Sequence, residues 1–224
     1  MDDISRKFSS IKPDEVDELV TFVHENFAKN GCEPMNSMLS NPATGYSFGK
    51  ALLKIHISKY MAKNPEATLA IRDENTNELL AVIINSIEDG ENENEAPDFS
   101  KLDEHTRYVF VHIFGLLEKL GGKKFVKSCK GEKVWYSHIG CTSSGIAKRG
   151  LGTELRSHMV NEARKKGCRY VISEATGLGT QKIYQRLGFC VENEVFYDEF
   201  EVFRGKKEAE IHKSVKLMVL DLKQ

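Results

Sequence analysis

The stretch that most constrains this chain is Arg149-Gly150-Leu151-Gly152, which lies between an apolar run and an amphipathic one. Before it, Val134-Trp135-Tyr136-Ser137-His138-Ile139-Gly140-Cys141-Thr142 is rich in strand formers. After it, Leu151, Leu155, Met159 and Ala163 recur at four-residue steps, the spacing of one helix face. A strand that turns into a helix through glycines points unpaired backbone N–H groups, and the positive end of the helix dipole, at whatever lies above the strand end. Glycine lets an anion approach the backbone, and Lys148 and Arg149 add positive charge beside it. The junction therefore predicts a phosphate cradle made of Lys148, Arg149, Gly150, Leu151, Gly152 and Thr153.

The rest of the chain is consistent with one domain over residues 1–224, since its 40% hydrophobic content supplies one ordinary core. A formal charge of -1 and a pI near 6.7 give no general electrostatic reason to expect nucleic acid or an anionic membrane as partner. No apolar run approaches the roughly 20 residues that span a bilayer, and Met1-Asp2-Asp3 does not open a signal peptide, so a soluble, cytoplasmic protein is expected. Cys32, Cys129, Cys141, Cys168 and Cys190 are scattered without a C-x-x-C pair, which predicts reduced, mostly buried thiols and no metal knuckle.

Periodicity predicts alternating elements. A strand over Ile4–Ile11 precedes a helix opened by Pro13 with Val16, Leu19, Val20, Val23 and Phe27 on one face, and a second helix runs from about Ser47 to Lys63. Ala67–Ile71 and Leu79–Ile87 form a hairpin across Asp73-Glu74-Asn75-Thr76-Asn77. From 88 to about 122 an acidic, solvated loop is followed by an inserted helix that ends at Gly121-Gly122, and a lysine-rich connection leads to the strand before the cradle. Beyond the cradle helix come a short strand at Tyr170-Val171-Ile172, a helix over Thr180–Leu187, and strands over Phe189–Phe196 and Ser214–Leu222. The expected class is α/β, a mixed and mostly antiparallel sheet with helices on both faces.

The order strand, Arg149-Gly150-Leu151-Gly152, helix, strand, short helix, Tyr184-Gln185-Arg186-Leu187-Gly188-Phe189 resembles the GNAT superfamily of N-acetyltransferases. Its acetyl-CoA signature begins with Gln or Arg and ends in Gly-x-Gly/Ala; here Gly150 and Gly152 match and Ala147 takes the leading position. Within the superfamily the chain is similar to the arylalkylamine N-acetyltransferases, typified by insect dopamine N-acetyltransferase. Glu33-Pro34-Met35-Asn36 matches that group's Glu-Pro-Leu-Asn-like segment, whose glutamate is the proposed base. Two hydroxyl residues of the group, usually serine, fall on Thr176 and Thr180, and His212 fits a histidine near the last strand.

The resemblance implies acetyl-CoA as cosubstrate, a small primary amine as second substrate, direct attack in a ternary complex and no metal. Dopamine, serotonin, octopamine and tyramine are the first candidate amines. The cradle would bind the CoA diphosphate, and the strand end at Ile139, Gly140 and Cys141 would pair with the pantetheine amides like an added strand. Because biogenic amines are protonated at neutral pH, a carboxylate such as Glu33 must accept a proton. Tyr184 lies where many acetyltransferases keep a tyrosine that protonates the departing thiolate; its alternative role is packing. Thr176 and Thr180 either relay protons or cap a helix, and His138 is either a satisfied core histidine or faces the cleft. Tyr46, Phe48 and Tyr197 are available to hold an aryl ring. Rival readings are acetylation of a polyamine, amino sugar or protein amino group, and a noncatalytic acyl-CoA-binding module, which Ala147 favours.

Overall fold

A computed structural model describes residues 5–29, 46–91, 104–146 and 149–223. Seven strands form one sheet in the order β1-β2-β3-β4-β5-β7-β6. In chain order they are β1 (Arg6–Ser10), β2 (Leu69–Asp73), β3 (Leu79–Glu88), β4 (Val134–Thr142), β5 (Tyr170–Ala175), β6 (Cys190–Phe196) and β7 (Ser214–Asp221). β4 and β5 run parallel, whereas the other neighbouring pairs are antiparallel. The expected mixed, mostly antiparallel sheet is therefore the observed one.

Helices cover both faces. On one, α5 (Leu151–Lys165) and α6 (Leu178–Arg186) pack Leu151, Leu155, Met159, Ala163 and Tyr184 against Ile83, Trp135, Val171 and Met218. The other face carries α1 (Val16–Val23) and α2 (Tyr46–Lys63) over β2 and β3, with Leu19, Val20, Val23 and Ile57 meeting Ala70, Val82 and Ile84. Beside them α3 (Glu104–Leu120) and α4 (Gly122–Ser128) sit with Ile113, Leu116 and Val126 over Val134, Tyr136 and Ile172. A short α7 (Lys207–His212) leads into β7. Each buried Leu, Ile or Val contributes about 1.5–3 kcal/mol, so these interfaces hold the helices against the sheet.

Three expectations need correction. Glu88 does not open a solvated loop: it ends β3, is buried, and pairs with Lys63 Nζ at 2.5 Å. The lysine-rich connection is not a bare link, because residues 122–128 form α4. Lysine is a good helix former, and with Gly121 at φ 88° closing α3, Phe125 and Val126 supply the new helix's inner face. Nor are the thiols mostly buried: Cys168 is, Cys129 and Cys141 are half-buried and Cys190 is exposed, all four free of disulfides.

The hairpin of β2 and β3 turns on the predicted residues, with Asp73 Oδ1 accepting from the N–H groups of Asn75 and Thr76 at 2.8 and 2.9 Å. Among the described residues no helix is long and apolar enough to cross a membrane.

Candidate active site

The site begins where β4 and β5 part. Their parallel pairing runs from Val134↔Tyr170 to Ser137↔Ser173 and stops, so Ile139, Gly140 and Cys141 keep their β3 partners but face a gap on the β5 side. All three are half-buried. A strand edge with free amides is what an extended, amide-bearing arm needs for pairing.

A bulge also shapes this edge. Ile84 pairs with Ile139 and Asn85 with Ser137, which leaves His138 as an extra residue without a β3 partner. The strand alternation is broken there, so His138 and Ile139 turn to the same face: His138 against Tyr60 of α2, Ile139 against the α1–α2 core. His138 is thus sandwiched, with its ring 3.9 Å from that of Tyr60 and 4.4 Å from that of Tyr136. Burial, then the charges of His56, Lys123 and Lys63, push its pKa down to about 3. Ser86 Oγ lies 2.6 Å from Glu88 Oε1 and 2.7 Å from His138 Nε2. A hydroxyl has one proton; given to the carboxylate, it leaves the imidazole to donate from Nε2, so Nδ1 is the acceptor nitrogen.

Glu174 stands one residue beyond the last β4–β5 rung, half-buried. Burial raises its pKa from 4.5 to about 7, against the hydrogen bonds from Tyr136 and the Gly122 N–H that favour the charged form. A Cβ at Gly122 would come within 2.3 Å of Tyr136 Oη and 2.6 Å of Glu174 Oε1, so a larger residue there would displace this pair. Burial and the charge of Glu174 raise the Tyr136 phenol well above its ordinary value, and burial takes Tyr60 up to about 12.

At the C-terminal end of β4 the cradle closes onto α5. Gly150 is the N-cap, at φ 83° and with open space where a Cβ would be, and its carbonyl accepts from the N–H groups of Thr153 and Glu154 at 3.0 Å each. The N–H groups of Leu151 and Gly152 come before the first helical acceptor and are the ones available to an anion. Arg149 and Gly150 are exposed, Gly152 and Thr153 half-buried and Leu151 buried. Lys148, like Ala147, lies outside the described residues, as does Glu33; Tyr46 and Phe48 belong to α2, but their side chains are outside the description too.

Tyr184 is fully buried and donates from Oη to Ser137 Oγ at 3.1 Å, placing its hydroxyl at the last rung before the strands part. Thr176 and Thr180 do not cap α6: the N-cap is Gly177, with no side-chain cap, and Thr180 stands in the first turn. Instead His212 Nδ1 accepts from the Leu178 N–H at 3.0 Å. Tyr197 does not present its ring to a ligand either, because it is fully buried against Phe203 and donates from Oη to the Thr176 carbonyl at 2.7 Å.

Sequence reading missed Arg156, Ser137, Glu174, Ser86 and Glu88. A cation at 156, between the apolar Leu155 and Met159, was the one local signal. The others depend on rungs that no spacing in the chain reveals.

This architecture is that of solved N-acetyltransferases. The chain superposes with a TM-score of 0.75 on arylalkylamine N-acetyltransferase 2 from Aedes aegypti, at 19% identity over 97% of this chain and 99% of that one. A Drosophila melanogaster polyamine N-acetyltransferase that forms N-acetylagmatine gives 0.71 at 18% identity, over 97% of this chain and 100% of the other. The C-terminal condensation domain of Ebony, in complex with β-alanyl-dopamine, gives 0.77 at 13% identity over 98% and 100%. No family model matches the sequence, and no curated protein matches it.

Proposed function

We propose that the chain is an acetyl-CoA-dependent N-acetyltransferase for a small primary amine, with arylalkylamines first. The observation that carries this reading is the order of donors along the chain: β4 runs past its last β5 rung, and the glycine-capped start of α5 follows, so strand amides are succeeded by helix N–H groups. An extended arm that ends in a diphosphate is matched by that sequence of donors. The residues fit the cosubstrate at the cradle, since Gly150 has open space where a Cβ would be. In this reading Ile139, Gly140 and Cys141 hold the arm, and Arg149, Gly150, Leu151, Gly152 and Thr153, joined by Lys148, hold the diphosphate.

The chemistry then asks for three things of the chain. A carboxylate must take the ammonium proton, the role assigned to Glu33; a donor at the β4 edge must support the carbonyl oxygen; and Tyr184 must offer a proton at the sulfur. Thr176, just before the Tyr184 helix, and Thr180, in its first turn, are assigned to relaying the amine proton. The aryl preference draws on the mosquito enzyme's substrate class, and the agmatine-forming enzyme keeps cationic aliphatic amines in view.

The test is thiol release from acetyl-CoA with dopamine, serotonin, octopamine and tyramine, set beside agmatine, spermidine, an amino sugar and a peptide. Release with an arylalkylamine well above the others is expected; activity confined to peptides or polyamines would remove the aryl claim. CoA binding without release for any amine would favour the noncatalytic module to which Ala147 points. Glu33→Gln should lower turnover, with a deficit that narrows as pH rises and free amine accumulates; equal rates would exclude Glu33 as the base.

A further inference from the structure

Arg156 lies on α5 one turn after Gly152 and on the same side of the helix. It is 6% exposed. Its Nη1 donates to the Gly152 carbonyl at 3.1 Å, and its guanidinium carbon lies 5.3 Å from the centre of the Tyr184 ring. Nη2 occupies the space left by the bare backbone of Gly140, where a Cβ would come within 2.9 Å. The Nε–H is buried and has no acceptor, and among the described residues Arg156 has no carboxylate partner.

The titratable neighbours supply no anion. From β4, Cys141 keeps its proton, because burial pushes the thiol up to about 12 despite the pull of Arg156. From α6, the Tyr184 hydroxyl is present as a donor, to Ser137 Oγ. A buried cation without a counter-charge is costly, and the cost is offset when a ligand brings the negative charge.

We propose that Arg156 is the counter-charge for the acyl donor's sulfur, stabilising the CoA thiolate as the carbon–sulfur bond breaks. The assignment rests on the acetyl-transfer reading. The amine lone pair forms the C–N bond, the C–S electron pair leaves on sulfur, the nitrogen's proton passes to the carboxylate base, and sulfur takes the Tyr184 proton, which solvent replaces. Arg156 neither gives nor takes a proton in this sequence; it faces the charge while it exists.

The experiment compares the native chain with Arg156→Met and Arg156→Lys. CoA and desulfo-CoA are bound by calorimetry across pH, and the ionisation of bound CoA is followed by the ultraviolet absorbance of its thiolate. The native chain should bind CoA more tightly than desulfo-CoA as pH rises, and its bound sulfur should ionise about one pH unit, or tenfold, more readily than in Arg156→Met. Lysine should restore part of that difference.

Equal ionisation in the native chain and Arg156→Met would overturn the proposal. So would an equal loss of CoA and desulfo-CoA affinity in the variant, which would make Arg156 a support for the arm alone. Faster transfer from succinyl-CoA than from acetyl-CoA, abolished in Arg156→Met, would reassign the cation to an acyl carboxylate. Should Arg156→Met fail to fold, the native chain decides: no pH-dependent preference for CoA over desulfo-CoA refutes the role. If the native chain binds neither, the acetyl-transfer reading fails first, an outcome distinct from the others.

Discussion

At the scale of single residues, His138 and Glu174 flank the parting of β4 and β5 with opposite proton preferences. His138 is held neutral down to about 3, so its contribution to stability is present above the ordinary histidine value of 6.5 and is lost as pH falls toward 3. Glu174 holds its proton up to about 7; its contribution is full below 4.5 and is lost as pH rises through 7. Between 4.5 and 6.5 the two slopes oppose each other. Glu174→Gln removes the falling one, so chemical denaturation should show stability climbing across this window more steeply than in the native chain, by roughly 1–3 kcal/mol in all. An unchanged profile would mean that the carboxyl titrates normally. Gly140→Ala belongs to the same scale: the methyl would collide with Arg156 Nη2 at 2.9 Å, and displacing a packed guanidinium should lower stability by about 1–3 kcal/mol. Thermal melts read that loss, and CoA titration should show weakened binding beside it.

At the scale of elements, α6 is held at its start by a residue from another segment. Since Gly177 offers no side-chain cap, the His212 acceptor at the Leu178 N–H takes that part, and His212→Ala should lower stability by about 1 kcal/mol. A wild-type melting temperature in that variant would deny the cap. The contact also shows where legibility in the chain ended. β4 was readable to the residue and the start of α5 near Leu151, because β-branched and aromatic residues followed by a four-residue apolar step leave little choice of conformation. The glycine turn into α5 was readable as well, since Gly150 caps the helix at φ 83°. What one-dimensional pattern could not carry was partnership: the bulge at His138 is defined by its β3 neighbours, and Glu174 meets Tyr136 because parallel strands place Tyr136 opposite Ile172, two residues before Glu174. In the chain the lysines of α4 read only as a connection, although helix propensity and two inward apolar residues make a helix there.

At the scale of the whole molecule, the fold is shared with the mosquito enzyme at only 19% identity. Specific ties then decide how the outer helices sit. Arg72 of β2, 3% exposed, donates to Glu15 at 2.8 Å, to Glu18 at 2.9 and 3.0 Å and to the Asn77 carbonyl at 2.9 Å, joining the start of α1 to the hairpin. Removing the cation costs three charge-assisted hydrogen bonds to carboxylates that solvent partly screens, and Arg72→Ala is expected to lose about 1–2 kcal/mol, read by urea denaturation. At the far end of α1 the chain widens into a π-helical turn, His24–Lys29. There Asn26 Oδ1 accepts from the Ser144 N–H at 2.9 Å, while its Nδ2 holds the Phe22 carbonyl at 3.0 Å. One amide group thereby fastens the stretch that runs on toward Glu33 to the loop that runs on toward the proposed diphosphate site. Filling one berth must tug on the other through this clasp, and the two ligands should reinforce each other's residence. In Asn26→Ala, saturating CoA should cease to tighten amine binding even though each ligand, offered alone, is held as before.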